Sequence, residues 1–143
     1  MLETTGNLPL PRTLSSMILK KTKDKDRLYV FGGGLAGEIP VPDSNVYCLD
    51  LDSLFWVKLS APNDICPSPR LGHSLTALDD NMYCFGGMDQ KEMYGDMYKF
   101  NLGNFLFMTY TKLRKNGPKF CPKELKFQLL EVLILLQNMV KDI

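Results

Sequence analysis

The side chains able to do chemistry are few and poorly spaced for it. His73 is the only histidine, and Cys48, Cys66, Cys84 and Cys121 lie 18, 18 and 37 residues apart with no Cys-x-x-Cys pair. A structural zinc needs four nitrogen or sulfur ligands, commonly supplied by closely paired cysteines, so no metal centre is expected. Cys48 and Cys84 fall inside apolar runs, where a reduced thiol packs as a small hydrophobe. His73 stands at the start of such a run and reads as a buried or hydrogen-bonded strand residue. The stretch Phe31-Gly32-Gly33-Gly34-Leu35-Ala36-Gly37 has the glycines of a phosphate loop but no following Gly-Lys-Ser/Thr and no helix start. With no nucleophile and base pair, no metal and no cofactor in prospect, the chain is expected not to be an enzyme.

The elements around these residues belong to a soluble domain. The chain has 143 residues, 45% of them hydrophobic, and a formal charge of +1. That balance provides no basic face to draw a nucleic acid or an anionic membrane. Residues 1–10 lack the charged-then-apolar build of a signal peptide, and unpaired thiols fit a reducing compartment, so a cytoplasmic location is expected. The longest apolar stretch, Leu125 to Val140, is broken by Lys126, Gln128, Glu131, Gln137 and Asn138. A membrane span needs about 20 nearly uninterrupted apolar residues, and none is expected here.

An internal repeat organises the chain. Phe31-Gly32-Gly33 recurs as Phe85-Gly86-Gly87, and Pro9-Leu10-Pro11-Arg12 recurs as Pro67-Ser68-Pro69-Arg70. Tyr47 is followed nine residues later by Trp56, and Tyr98 nine residues later by Phe107. The offset between the copies is 51 to 58 residues, shrinking as loops shorten. In the second copy, 71–78, 81–85, 96–101 and 105–110 read as four strands separated by turn residues. Short strands at a period near 50 are the mark of propeller blades.

Gly32, Gly33, Tyr47, Trp56, Gly86, Gly87, Tyr98 and Phe107, at this spacing, make the chain resemble the kelch family. The resemblance implies a mainly β fold: two kelch-type four-stranded antiparallel propeller blades, at 9–66 and 67–117, after an unassigned leader at 1–8. Phe107 in place of tryptophan, and Leu14-Ser15 where the second copy has Gly72-His73, depart from the pattern. The glycines and rings are expected to be architectural, with Trp56 and Tyr98 largely buried between sheets packed face to face. A copper-oxidase site, found in some kelch-like propellers, would need several histidines, which this chain lacks.

The repeat stops at 118–143, where no third Gly-Gly appears. Pro122, Glu124 and the spacing of Leu125, Leu129, Val132, Leu133, Leu136 and Val140 predict an amphipathic α-helix over 123–140. Such a helix caps a blade, binds a partner or a second copy, or is a by-product of truncation or alternative splicing with no binding role.

Protein binding by loops is the function expected of this scaffold. The loops 34–45, 60–69, 88–95 and 111–118 are expected on one face, with Arg12, Glu38, Asp43, Arg70, Asp89, Glu92 and Tyr94 as the contacting residues and no cofactor. Within the kelch family, Pro11-Arg12-Thr13, Leu28 to Gly34 and Pro42-Asp43 are similar to kelch-motif effectors of Rab GTPases. That likeness implies a Rab partner in endosome-to-Golgi traffic and a location peripheral to endosomal membranes. The alternatives are the substrate-recognition part of a ubiquitin ligase, or a truncated structural isoform without binding activity of its own. Self-association through open blade faces or the C-terminal helix is also expected, since apolar Leu28, Val30, Tyr83 and Phe85 lie on strands whose outer faces have no neighbour.

Overall fold

The strands are short runs rich in aromatic and branched residues, and consecutive strands of a sheet pair antiparallel, through tight turns at 22–25, 51–54 and 79–80 and through longer loops after Phe31 and Phe85. A computed structural model describes residues 3–35, 39–60 and 66–103, and the backbone of 107–111. The strands are β1 (Thr5–Gly6), β2 (Ser16–Lys21), β3 (Asp26–Phe31), β4 (Val46–Asp50), β5 (Phe55–Leu59), β6 (Ser74–Leu78), β7 (Asn81–Phe85), β8 (Met97–Asn101) and β9 (Phe107–Thr111). They form two sheets, ordered β1-β5-β4-β3-β2 and β6-β7-β8-β9. Each sheet has the four antiparallel strands expected of a blade.

The leader departs from expectation. Residues 5–6, to which no structure was assigned, add a fifth strand that runs parallel to β5. Thr5 N–H donates to the Leu54 carbonyl at 3.1 Å and Asn7 N–H to that of Trp56 at 2.9 Å, so the leader pairs with the otherwise open edge of β5. The first strand of the second sheet is also shorter than 71–78. Gly72 turns the chain at a φ of 65°, and Leu71 bridges Met88 instead of extending β6. The helix expected at 123–140 lies outside the described residues.

The two sheets meet in one core. Ile18, Tyr29, Phe31, Val46 and Cys48 of the first pack with Met82, Cys84, Tyr98 and Phe100 of the second, and Leu102 joins them. Cross-strand register explains this segregation: Ile18, Tyr29 and Cys48 stand opposite one another, as do Leu75, Cys84 and Tyr98. Tyr98 is buried as expected, whereas Trp56 is only partly buried because β5 lies near the periphery of its sheet. Val30, expected to be open to solvent, is buried on a central strand between Met17 and Tyr47. Phe85 does stay open, and Leu28 and Tyr83 are partly covered. Cys84 sits deep enough that burial pushes its thiol up to about 12, consistent with a packing role.

Gly32 shows why the motif needs glycine at the blade junction. Its φ is 61°, and a Cβ there would stand 2.5 Å from both the Arg70 carbonyl oxygen and the His73 ring. The adjoining Gly33 N–H donates to that same Arg70 carbonyl at 2.8 Å. Close backbone approach thus links the two repeats directly.

Candidate functional site

Each repeat opens with an arginine, and the structure shows what the two do. Arg12 Nε donates to the Leu10 carbonyl and its Nη1 to the Gly32 carbonyl, both at 3.0 Å. Arg70 repeats this with the Ser68 carbonyl at 3.0 Å and the Gly86 carbonyl at 2.9 Å. The guanidinium therefore ties the entry segment of each repeat to the first glycine of its own Gly-Gly pair. The aromatic of the third strand lies beneath it, Tyr47 at 4.9 Å from Arg12 and Tyr98 at 5.4 Å from Arg70.

The repeats differ in the carboxylate. Asp96 takes Arg70 in a two-point contact at 2.5 and 3.2 Å, and Tyr94 stacks on the guanidinium at 4.2 Å. Burial alone would lower the Arg70 pKa, but the Asp96 contact outweighs it and holds the charge. In the first repeat the residue two before the tyrosine is Asn45, and Arg12 has only a loose pairing with Asp43 at 3.9 Å. Arg12 Nη2 is buried without a hydrogen bond among the described residues.

These contacts change the reading of several candidate residues. Arg70 is 0% exposed with its donors spent on its own chain, so it braces the blade and does not face a partner, contrary to the expectation for it. Asp89 accepts the Tyr94 hydroxyl at 2.7 Å and the backbone N–H groups of Lys91 and Glu92 at 2.7 and 2.8 Å. The Tyr94 hydroxyl and these amides hold the Asp89 carboxyl below its usual range. Asp43 accepts from Asn45 N–H and the Tyr47 hydroxyl. The seven residues thus fall into two groups, Arg12 with Asp43 and Arg70 with Asp89, Glu92 and Tyr94, while Glu38 lies outside the described residues.

The loops after the second strands gather at one end, while 61–65 and 112–118, in the other two loops expected there, lie outside the described residues. Gly34 bridges Thr13 and Pro40, and Met88 bridges Leu71 and Met93, so each loop folds back beside its repeat's entry segment. The hydrogen bonds from Gly33 to Arg70 and from Gly72 to Leu14 place both at the same end of the molecule. On these loops Leu35, Ile39 and Met93 are exposed, Met93 to 81%, together with the polar Gln90 and Lys91, while Leu10 and Leu14 are exposed on the neighbouring entry segment. Reading the sequence for charge missed the aliphatic ones, because aliphatic residues among glycines and prolines have no periodicity to betray their exposure. Among the described residues no three His, Cys, Asp or Glu side chains stand close enough to share a metal ion. Nor is any helix among them long and apolar enough to cross a membrane.

Two sheets of this connectivity, each with its Gly-Gly turn gripped by an entry arginine, are what a repeat family would impose. The family model of the kelch-repeats domain of KLHDC2, KLHL20 and DRC7 matches residues 1–129. The chain belongs to the kelch-repeat family. It is 38% identical over 93 residues to the Rab9 effector protein with kelch motifs of Xenopus laevis, covering 65% of this chain and 24% of that one. The human protein of the same name is 34% identical over 97 residues, 66% of this chain and 24% of its own length. A Drosophila melanogaster leucine-zipper-like transcriptional regulator 1 homolog is 36% identical over 80 residues, 54% of this chain and 8% of that one. The chain therefore spans about a quarter of the length of the Rab9 effector relatives it matches.

Proposed function

We propose that this kelch-repeat chain is a non-enzymatic protein-binding element whose partner docks on the loop end. The observation that carries this reading is the set of exposed aliphatic side chains, Leu35 and Ile39 on one loop and Met93 on the other, held on turns fixed by backbone bridges. Aliphatic groups on rigid loops lose little entropy on docking and supply apolar contact area. The charged loop residues then form the rim and orient the partner. The Rab9 effector relatives favour a Rab GTPase as that partner, in keeping with the endosome-to-Golgi role that the likeness of Pro11-Arg12-Thr13 and Leu28 to Gly34 to Rab effectors implies.

Binding of the purified chain to Rab9 loaded with GTP or with GDP, measured by calorimetry, tests this. The expected result is GTP-dependent binding that Ile39→Glu and Met93→Glu each weaken at least about tenfold, as loss of an interface anchor does. Equal affinity for both nucleotide states, or no effect of either substitution, would sink the reading.

A further inference from the structure

The junction between the two sheets is directional, because each contributes a different face. Carried across the repeat, the first-sheet residues Tyr29, Phe31 and Cys48 correspond to Tyr83, Phe85 and Lys99. By strand register these lie on the far face of the second sheet. The second-sheet residues Met82, Cys84 and Tyr98 correspond likewise to Leu28, Val30 and Tyr47 on the far face of the first, in register with Leu19 and Met17. The molecule thus carries, on its two outer faces, one further half of each kind of the junction it already contains.

Exposure at equivalent positions shows which parts are uncovered: Val30 and Tyr47 are each only 6% exposed, so the open part of the first sheet's outer face is the β2 side, Met17 and Leu19. Phe31 is 0% exposed and meets the His73 ring edge-on at 5.2 Å, while its equivalent Phe85 is 52% exposed. Met17 and Leu19 are 59% and 46% exposed, while their equivalents Leu75 and Ala77 pack against the core. The polar half of the junction repeats too. Hydrogen bonds that cross it among the described residues include Gly33 N–H to the Arg70 carbonyl at 2.8 Å, Gly72 N–H to the Leu14 carbonyl at 3.0 Å, the Ser16 hydroxyl to the His73 carbonyl at 2.5 Å, and Lys20 Nζ to the Asp79 carbonyl. The equivalents of the first pair are the Gly87 N–H and the Arg12 carbonyl, and neither has a hydrogen-bond partner among the described residues.

We infer that a second copy of this chain docks head to tail, the outer face of its first sheet against the outer face of this chain's second sheet, so that the internal junction is repeated between chains. Gly87 N–H then donates to the second copy's Arg12 carbonyl, and Phe85 is covered as Phe31 is. The contact is heterologous: each copy uses one face as acceptor and the other as donor, and it grows until a ring closes. The apolar part of this contact lies on the sheet faces, while the Gly87–Arg12 bond borders the loop end assigned to a protein partner.

Sedimentation of the full chain from low to high micromolar concentration tests the idea, with Phe85→Glu and Met17→Glu on opposite outer faces. Both residues are largely solvent-facing, and melting curves check that each variant folds. The wild type is expected to form closed oligomers, and each single variant to associate at least about tenfold more weakly. The decisive sample is their equimolar mixture, since each variant retains the face the other has lost. It should give a heterodimer that grows no further. A wild type monomeric throughout, which needs no variant to observe, would overturn the proposal. So would variants that associate as the wild type does, or a mixture that stays monomeric.

Discussion

Leu14 and Gly72 occupy the same position in the two repeats and adopt the same left-handed backbone, with φ of 53° and 65°. The turn geometry is set by the fold, since both residues precede a first strand and are linked by the hydrogen bond from Gly72 N–H to the Leu14 carbonyl. A leucine pays for this conformation through the clash of its Cβ with the backbone, about 1–2 kcal/mol, and its side chain is exposed, so little burial offsets the cost. Leu14→Gly is expected to raise stability by about 1 kcal/mol, after allowing for glycine's greater unfolded-state entropy. Gly72→Ala is the converse control. No atom lies within 4 Å of a Cβ placed there, so its cost of about 1–2 kcal/mol would be backbone strain alone. Urea melts of both variants check the pair, and a destabilised Leu14→Gly would show that the leucine side chain contributes more than its exposure suggests.

The arginine brackets give a second prediction. Asp96 holds the buried Arg70 charge, so Asp96→Ala leaves that charge without its carboxylate and is expected to cost about 3–5 kcal/mol. In the first repeat, Asn45→Asp places a carboxylate at the position equivalent to Asp96, where Arg12 Nη2 has no hydrogen bond among the described residues. A gain of about 1 kcal/mol is expected, because a charge-assisted hydrogen bond replaces an unsatisfied donor and the new oxygen can still accept from the Ser60 hydroxyl. Denaturant unfolding of the two variants and their wild type measures both numbers. An unstable Asn45→Asp would mean that desolvating the new carboxylate outweighs the pairing.

The residues that set the fold were legible because their signals are local and repeated. Gly32-Gly33 with Gly86-Gly87, and Tyr47 with Tyr98, fixed the period. The site was less legible for a physical reason. Arg70 looks like a surface cation in sequence, and only its contacts with Asp96, 26 residues on, and with the Gly86 carbonyl reveal a brace. Asp89 and Tyr94 carry binding-type chemistry but are consumed by their own turn. Exposure of Leu35, Ile39 and Met93 depends on backbone bridges between residues that no periodicity connects. The β1 strand was likewise invisible, since two residues pairing in parallel with a distant edge leave no pattern.

His73 confers a pH dependence. It is buried at the junction against Phe31, and burial, helped by the neighbouring Arg70 charge, lowers its pKa to about 4. The unfolded chain, at about 6.5, therefore takes up the proton first. Stability from this group is complete above pH 6.5 and declines as the pH falls from there to about 4, by up to about 3 kcal/mol. Asp50, held at about 2 by hydrogen bonds from Ser53, and Asp89, also lowered, lose their contributions mainly below that window. His73→Gln should flatten the stability profile between pH 6.5 and 4.5, measured by urea midpoints. An unchanged slope would place the titration elsewhere.

Gly32 and Gly86 hold the same motif position, with φ of 61° and 67°, but differ in what lies beyond them. A Cβ on Gly32 meets the Arg70 carbonyl oxygen and the His73 ring at 2.5 Å, whereas on Gly86 the nearest atom is the Tyr94 carbonyl oxygen at 3.4 Å. Both alanine variants carry the strain of a left-handed residue, about 1–2 kcal/mol, so the difference between them isolates the contact between blades. Gly32→Ala must also push apart two backbones and is expected to cost at least about 2 kcal/mol more than Gly86→Ala, with the greater loss of cooperativity on melting. If chains assemble head to tail, the Cβ on Gly86 would instead meet the Arg12 carbonyl of the next copy. Gly86→Ala should then leave the monomer folded while weakening association at least about tenfold, a split between stability and assembly that Gly32→Ala cannot show. Measuring thermal melting at low concentration and sedimentation at high concentration on the same two proteins separates these effects. Equal melting losses for the two variants would mean that the junction yields at little cost, and an assembly unaffected by Gly86→Ala would place the intermolecular contact on some other surface.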